Sequence, residues 1–506
     1  MAGQILLSLL PLAVGTAWAQ DQGSGVSRGL VIKPRISLSE SYTDNNLLTS
    51  LQRDATLISV LAPGVSVIAR GGSVTGTLDY SLSGIGYLKS QQPDRFQQNL
   101  SAQGHANLVS QVFFIDAQAS ISQQNGTAAG PLSADSNLGY QNRYEVQTLS
   151  VTPTLRGHIG NLASLELRGT VAGTNTVDSM VGDSRQLNGS LRFDSLNAGR
   201  LRSWALVSTS KSHFKTNTAD SEDTQGMLGL RYQPDVDFFA TVNGGTERSN
   251  YEHGAGQFDT AATYGASLSW TPSRRTSANL DWQHHSYGDS HSVYVEHRMA
   301  RSVWRYSDSM SITQASQLNT SSQGSYYDLW FQLYASLVPD PVQRDAFVRN
   351  LLLNYGLNQN SQILVGFLSN VPLMSRNRQA AVSLEGLRTT LMASFGQSIS
   401  QQLGNNGQAA GDLANFGQIN QRIFSINVAH RASPVSSLNL SYSQTHSGGQ
   451  GATIFAGANT LHSITASCSY RLGPSSSLSL SGHHSQEVGS NPYRENGLAA
   501  TFVQNF

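Results

Sequence analysis

Apolar and polar residues alternate along most of this chain, and the alternating runs are long. In "VTGTLDYSL", Val74, Gly76, Leu78, Tyr80 and Leu82 share one face, while Thr75, Thr77, Asp79 and Ser81 share the other. "LELRGTVAG" opposes Leu165, Leu167 and Val171 to Glu166, Arg168 and Thr170, and "ANLDWQH" opposes Leu280 and Trp282 to Asn279, Asp281 and Gln283. Successive strand residues point to opposite faces, so a period of two marks strands with two unlike faces. Segments such as 55–69, 73–88, 97–110, 145–158, 201–214, 236–250 and 459–472 keep this up well beyond the roughly 5–6 residues of an average globular strand. A tilted membrane strand needs roughly 9–11. Length therefore separates a transmembrane barrel from a soluble sandwich or β-helix.

About twenty-two such segments can be read, within a range of about 18 to 24, an even count as single-chain bacterial barrels require. The last seven, beginning with 361–374 and 378–400, follow an interruption, and 378–400 is long enough to be a hairpin. The expected fold is all-β: a transmembrane antiparallel up-and-down β-barrel of about 22 strands. Tyr80, Trp270, Trp282, Trp304, Tyr442 and Tyr470 lie near segment ends, where interfacial aromatic girdles belong. By parity alone Asp79, Glu166, Arg168, Arg231 and Asp281 are expected to face the lumen.

Both ends of the chain agree with export. "ILLSLLPLAV" at 5–14, followed by an A-x-A site at Ala17 and Ala19, reads as a secretory signal peptide over 1–19. Residues 20–506 are then the barrel. The apolar run is shorter than the roughly 20 residues of a spanning helix, and no Cys follows the site to make a lipoprotein. The last segment, "NGLAATFVQNF", is a strand pattern ending on Phe506, the aromatic terminus that resembles the signal read by the outer-membrane assembly machinery. Gln504 departs from that pattern.

Residues 326–356 break the period. "DLWFQLYASLV", with Trp330 and Phe331, reads as a short helix. Asp340 is then placed as an N-cap before Pro341, and Arg344, Phe347, Val348, Leu351 and Leu352 continue at helical spacing up to Gly356. A helical hairpin inserted at about 324–358 is expected. It suits a structured surface or periplasmic loop, a plug or constriction in the lumen, or a docking site for a periplasmic partner.

Chemistry is sparse. Only 13% of residues are charged and the net charge is zero, which disfavours nucleic-acid binding. The single Cys468 rules out an internal disulfide, a structural zinc site and a c-type haem. The pairs His284–His285 and His483–His484 cannot chelate one metal from a single strand face. No G-x-S-x-G or P-loop occurs. No enzyme, cofactor or metal is expected; an outer-membrane hydrolase is the remote alternative. "SYTDNNLL" at 41–48 reads as an Asx-rich turn, with calcium at Asp44 and Asn46 as the lesser reading.

"IKPRISLSESYTDNNLL" and "ISVLAPGVSV" resemble the opening of the outer-membrane β-barrel proteins associated with the PEP-CTERM/exosortase system of Gram-negative bacteria. The matching positions are Pro34, Ile36, Leu38, Tyr42, Thr43, Asp44 and Asn45, then Pro63 and Gly64. "VPDPVQRDAFVRNLL" and "VSLEGLRTTLMASF", with Gly386, Arg388, Thr389 and Thr390, are also similar. The resemblance implies a setting in exopolysaccharide production and protein sorting, and it supplies no catalytic residue. The expectation is an integral protein of the cell outer membrane, in contact with its lipid. Its role is a channel or export component for a hydrophilic polymer, with a polysaccharide or periplasmic export partner. The alternative is a closed barrel that anchors a surface or periplasmic assembly.

Overall fold

The computed structural model describes residues 29–313 and 367–506 with short interruptions, and isolated positions between 327 and 348. The segment 1–19 lies outside the described residues.

Twenty-two strands follow in order. The first six are β1 Gly29–Thr43, β2 Thr56–Arg70, β3 Val74–Leu88, β4 Arg95–Val109, β5 Phe113–Asn125 and β6 Arg143–Ile159. Next come β7 Ala163–Thr176, β8 Ser184–Ser195, β9 Leu201–Phe214, β10 Ser221–Asp235 and β11 Phe238–Ser249. Then β12 Asp259–Ser273, β13 Thr276–His285, β14 Gly288–Arg298, β15 Ser302–Thr313 and β16 Leu373–Glu385. The last six are β17 Thr389–Gln402, β18 Gln418–Arg431, β19 Ser436–Gln450, β20 Ala458–Arg471, β21 Ser476–Gly489 and β22 Tyr493–Asn505. Each pairs antiparallel with the next, and β22 pairs with β1, from Arg35 opposite Asn505 to Thr43 opposite Gly497. The sheet is a closed barrel.

Connections alternate in kind. At the end holding both the start of β1 and the end of β22, every turn is two to five residues long. At the other end they are mostly longer, including 126–142, 403–417 and 314–372. Short periplasmic turns and long extracellular loops are the pattern of outer-membrane barrels.

Residues directly opposite in an antiparallel pair share a face, so facing can be carried from strand to strand. Ser37 on β1 is opposite Ala62, and Ser39 is opposite Thr501 on β22. Carried through all the pairings, the assignment returns to β1 unchanged. One face presents Leu38, Val242, Leu440, Leu480 and Leu498, all exposed; the other presents Ser, Asn, Thr and charged residues. Leu440 is 53% exposed and its neighbour Asn439 is 5% exposed. An apolar outside around a polar inside is the arrangement for lipid and inverts that of a soluble protein. All six aromatics placed in girdles by the sequence lie on the outer face. Trp270, Trp304 and Tyr470 lie toward the short-turn end, and Tyr80, Trp282 and Tyr442 farther along their strands. Beyond them the outer face turns polar, with Lys211 bonded to Glu222 at 2.5 Å and Asp308 held by Arg376 at 2.7 Å.

One expectation needs correction, and the hairpin reading of 378–400 is met. Residues 367–372, where described, are not a strand: the Ser369 hydroxyl takes the Val371 N–H in a local turn, and Pro372 has no N–H to offer a ladder. The segment 378–400 is two strands, parts of β16 and β17, joined at 386–388, where Gly386 N–H bonds the Thr389 carbonyl at 2.8 Å. The expected strand total is unchanged because one strand is lost and one gained.

The insertion leaves β15 and returns to β16 at the long-loop end, opposite both termini of the barrel. Most of 324–358, including Phe347, lies outside the described residues. Those described carry helical backbone bonds, Tyr334 N–H to Trp330 O at 2.9 Å and Arg344 N–H to Asp340 O at 2.9 Å. The two halves touch: Tyr327 donates to Asp345, and the Arg344 guanidinium sits 4.3 Å from the Phe331 ring. Trp330 and Val348 are buried, Asp340 is exposed, and burial lowers the Arg344 guanidinium from its ordinary range.

Candidate functional site: the lumen and its bridged mouth

The structure places Asp79, Glu166, Arg168, Arg231 and Asp281 on the inner face, on β3, β7, β10 and β13. Asp79 takes two hydrogen bonds from Arg35, at 2.6 and 2.8 Å, and one from Ser66 at 2.5 Å. Glu166 joins Arg156 at 2.8 Å and Arg168 at 3.4 Å. Further lumen ions come from neighbouring strands: Arg192 with Asp194 at 2.8 Å, Arg202, and Arg305 with Glu296 at 2.7 Å. Most of these stand near the short-turn end of β6–β10. The inward residues of β16–β20 differ. They are mainly Ser, Asn, Thr and Gln, and many are buried, among them Ser375, Gln421, Asn439 and Ser463.

The long-loop mouth is bridged. The β5–β6 connection leaves one wall and reaches strands far around the barrel. Ala128 N–H bonds the Asp412 carboxylate in a 3-10 turn between β17 and β18. Leu132 N–H bonds Glu487 of β21 at 3.0 Å, and its carbonyl takes the Tyr493 hydroxyl of β22. Returning, the Asn137 carbonyl accepts from Tyr87 of β3 at 2.8 Å. Leu132 and Leu138 pack with the inward-facing Ile58, Val60, Ile85, Leu461 and Tyr493. A second bridge comes from the residues before β16. Leu368 packs on Val146 of β6, and Asn370 donates to Thr216 in the β9–β10 connection at 3.2 Å. Phe367 and Val371 join Ala128, Leu413, Phe416 and Ile419 in one apolar cluster. These apolar residues are buried in a polar lumen, which holds the bridges by the hydrophobic effect.

Two further features stand close to the mouth. Thr43, Asp44 and Asn45, part of the motif that carries the resemblance, staple the seam between β1 and β22. Thr43 donates to Glu495 at 2.8 Å, Asn45 to the Arg494 carbonyl at 2.9 Å, and Asp44 accepts from Asn496 at 2.7 Å. The turn reading of this stretch agrees with that geometry. Farther round, His285 bonds Glu247 at 2.6 Å and Ser290 at 3.0 Å, tying β11, β13 and β14. Tyr287 stacks on His285 at 4.7 Å and meets Tyr251 edge-on; burial pushes both phenols up from their ordinary range. Asp220, in the β9–β10 connection, is held below the usual carboxylate range by Lys211 and then His213.

Parity along a strand is legible in the sequence, but none of the bridges is. Leu132 is 355 positions from its partner Glu487, and no local pattern announces such a contact. The only sequence signal was that 126–142 contains Leu132 and Leu138 in an otherwise polar connection.

No family model matches the chain, and no curated protein matches it. Among solved structures it is similar to the FrpB iron transporter from Neisseria meningitidis, with TM-score 0.51 and 9% identity over 94% of this chain and 81% of that one. Looser likenesses include the siderophore receptor PiuA from Acinetobacter baumannii, with TM-score 0.44, 9% identity, and 93% and 81% covered. Another is OccK2 from Pseudomonas aeruginosa, with TM-score 0.35, 10% identity, and 94% and 98% covered. The likeness to FrpB is one of fold: a large outer-membrane β-barrel.

Proposed function

We propose that the chain is an integral conduit of the Gram-negative outer membrane that passes a hydrophilic polymer, in an exopolysaccharide- or exosortase-linked setting. The observation that carries this reading is a polar, charge-lined lumen behind a mouth bridged by inward-folded connections. Such a lumen suits a hydrated solute, and a bridge made of loops rather than strands can open without breaking the barrel. The likeness in fold to the FrpB iron transporter supports the general role, and the motif around Thr43–Asn45 supports the setting. The second reading is a closed barrel that anchors a surface or periplasmic assembly; the hydrogen bonds of 126–142 to β3, β21, β22 and the 3-10 turn between β17 and β18 favour it.

Single-channel conductance in a planar bilayer separates the two. The intact protein is compared with variants in which residues 127–141 are shortened or residues 324–358 removed. Silence from the intact protein and conductance from either variant is the expected result. Silence from all three would overturn the conduit reading and favour the anchor.

A further inference from the structure

We infer that the short-turn end of the lumen holds a binding site for a carboxylate-bearing polysaccharide segment, centred on Arg202 and Arg231. The inference rests on the conduit reading and names the chemistry of what passes. Five guanidinium groups, from Arg156, Arg168, Arg192, Arg202 and Arg231, line adjacent strands β6–β10. The same stretch of wall holds two carboxylates, Glu166 and Asp194. Three of the arginines are engaged by those acids, yet Arg156, Arg168 and Arg192 stay between 41 and 50% exposed to the lumen. Arg202 and Arg231 are directly opposite each other across β9 and β10. Like charges so placed repel, and the Arg231 Nε is buried with no hydrogen-bond partner. An anion between the two guanidinium groups relieves the repulsion.

The groups are also held in place. Arg231 lies 3.6 Å from the centre of the Phe239 ring, and Arg192 lies 4.9 Å from that of Trp204. The Trp204 ring rests on Gly229, where an added Cβ would come within 2.3 Å of it. Cation–π contact fixes the guanidinium planes without neutralising them. Planar forks held this way match carboxylates bidentately. A row of them along one wall suits repeated carboxylates on one chain better than a single small anion. Ion pores likewise take their sign from rings of arginine or lysine.

The test is calorimetric titration of the folded full chain in micelles. The probes are oligogalacturonate, a neutral maltooligosaccharide of equal length, and inorganic phosphate. Oligogalacturonate is expected to bind, more weakly as salt rises, with the neutral sugar silent and phosphate a poor competitor. The double variant Arg202→Gln/Arg231→Gln, shown to be folded by its heat-shifted gel mobility, is expected to lose on the order of tenfold in affinity. Equal binding of acidic and neutral sugars, or undiminished binding by the double variant, would overturn the proposal. Phosphate displacing the sugar at equal concentration would reassign the site to small anions. Conductance is measured separately, so loss of the site leaves the conduit reading standing, and the reverse.

Discussion

Glu495 shows how a single residue closes this barrel. Its carboxylate is 1% exposed on the inner face of β22, takes the Thr43 hydroxyl of β1 at 2.8 Å, and meets the His483 ring of β21 at 2.8 Å. One side chain therefore joins the last strand to both its neighbours. Hydrogen bonds to a buried charge contribute about 1.5–3 kcal/mol each. Glu495→Gln is expected to lower stability by an amount of that order, read as an earlier midpoint in urea unfolding of the refolded barrel; an unmoved midpoint would count against the staple. Thr43, Asp44 and Asn45 were legible as turn formers, because Asx side chains bond nearby backbone. Their partners on β22 were not, since nothing local in the sequence pairs position 45 with position 494.

At the scale of the element, alternation was the informative signal. Neighbours on β13 make the point. Leu280 faces lipid and Asn279 faces the lumen, as the run "ANLDWQH" implies. Leu280→Arg is expected to cost roughly 2–4 kcal/mol, as for a cation near the bilayer midplane. Asn279→Arg should stay close to neutral, because its side chain is exposed in a polar lumen. Folding free energies in lipid vesicles check this, and equal costs for the two would break the facing assignment. Among the described residues the strand signal failed at 367–372, where Ser369 and Pro372 interrupt an apolar stretch. It also blurred at 378–400, where Gly386 was the one mark of a turn inside a continuous alternation.

For the whole molecule, the termini matter most. Phe506 N–H bonds the Pro34 carbonyl at 2.9 Å while its ring stays 73% exposed. The backbone bond survives any side chain, so the ring contributes little to the finished barrel. Phe506→Ala is expected to leave the unfolding temperature of the purified barrel nearly unchanged and to reduce the amount of folded barrel recovered from outer membranes. The comparison of heat-shifted and unshifted bands in cell extracts measures the second effect; full recovery would deny the terminus an assembly role.

The sequence by itself determined the architecture, because strand period, segment length and the contrast between two faces are local quantities, each readable over about ten residues. It separated the two faces of each strand for the same reason, since parity propagates along a strand, but not which face meets lipid. Only the tertiary structure decided where the β5–β6 connection goes, which end the insertion occupies, and which arginines stand opposite one another. Those depend on register between strands and on contacts hundreds of positions apart. Hydrogen bonds such as Leu132 to Glu487 exist only once closure has brought β6 and β21 around the same lumen.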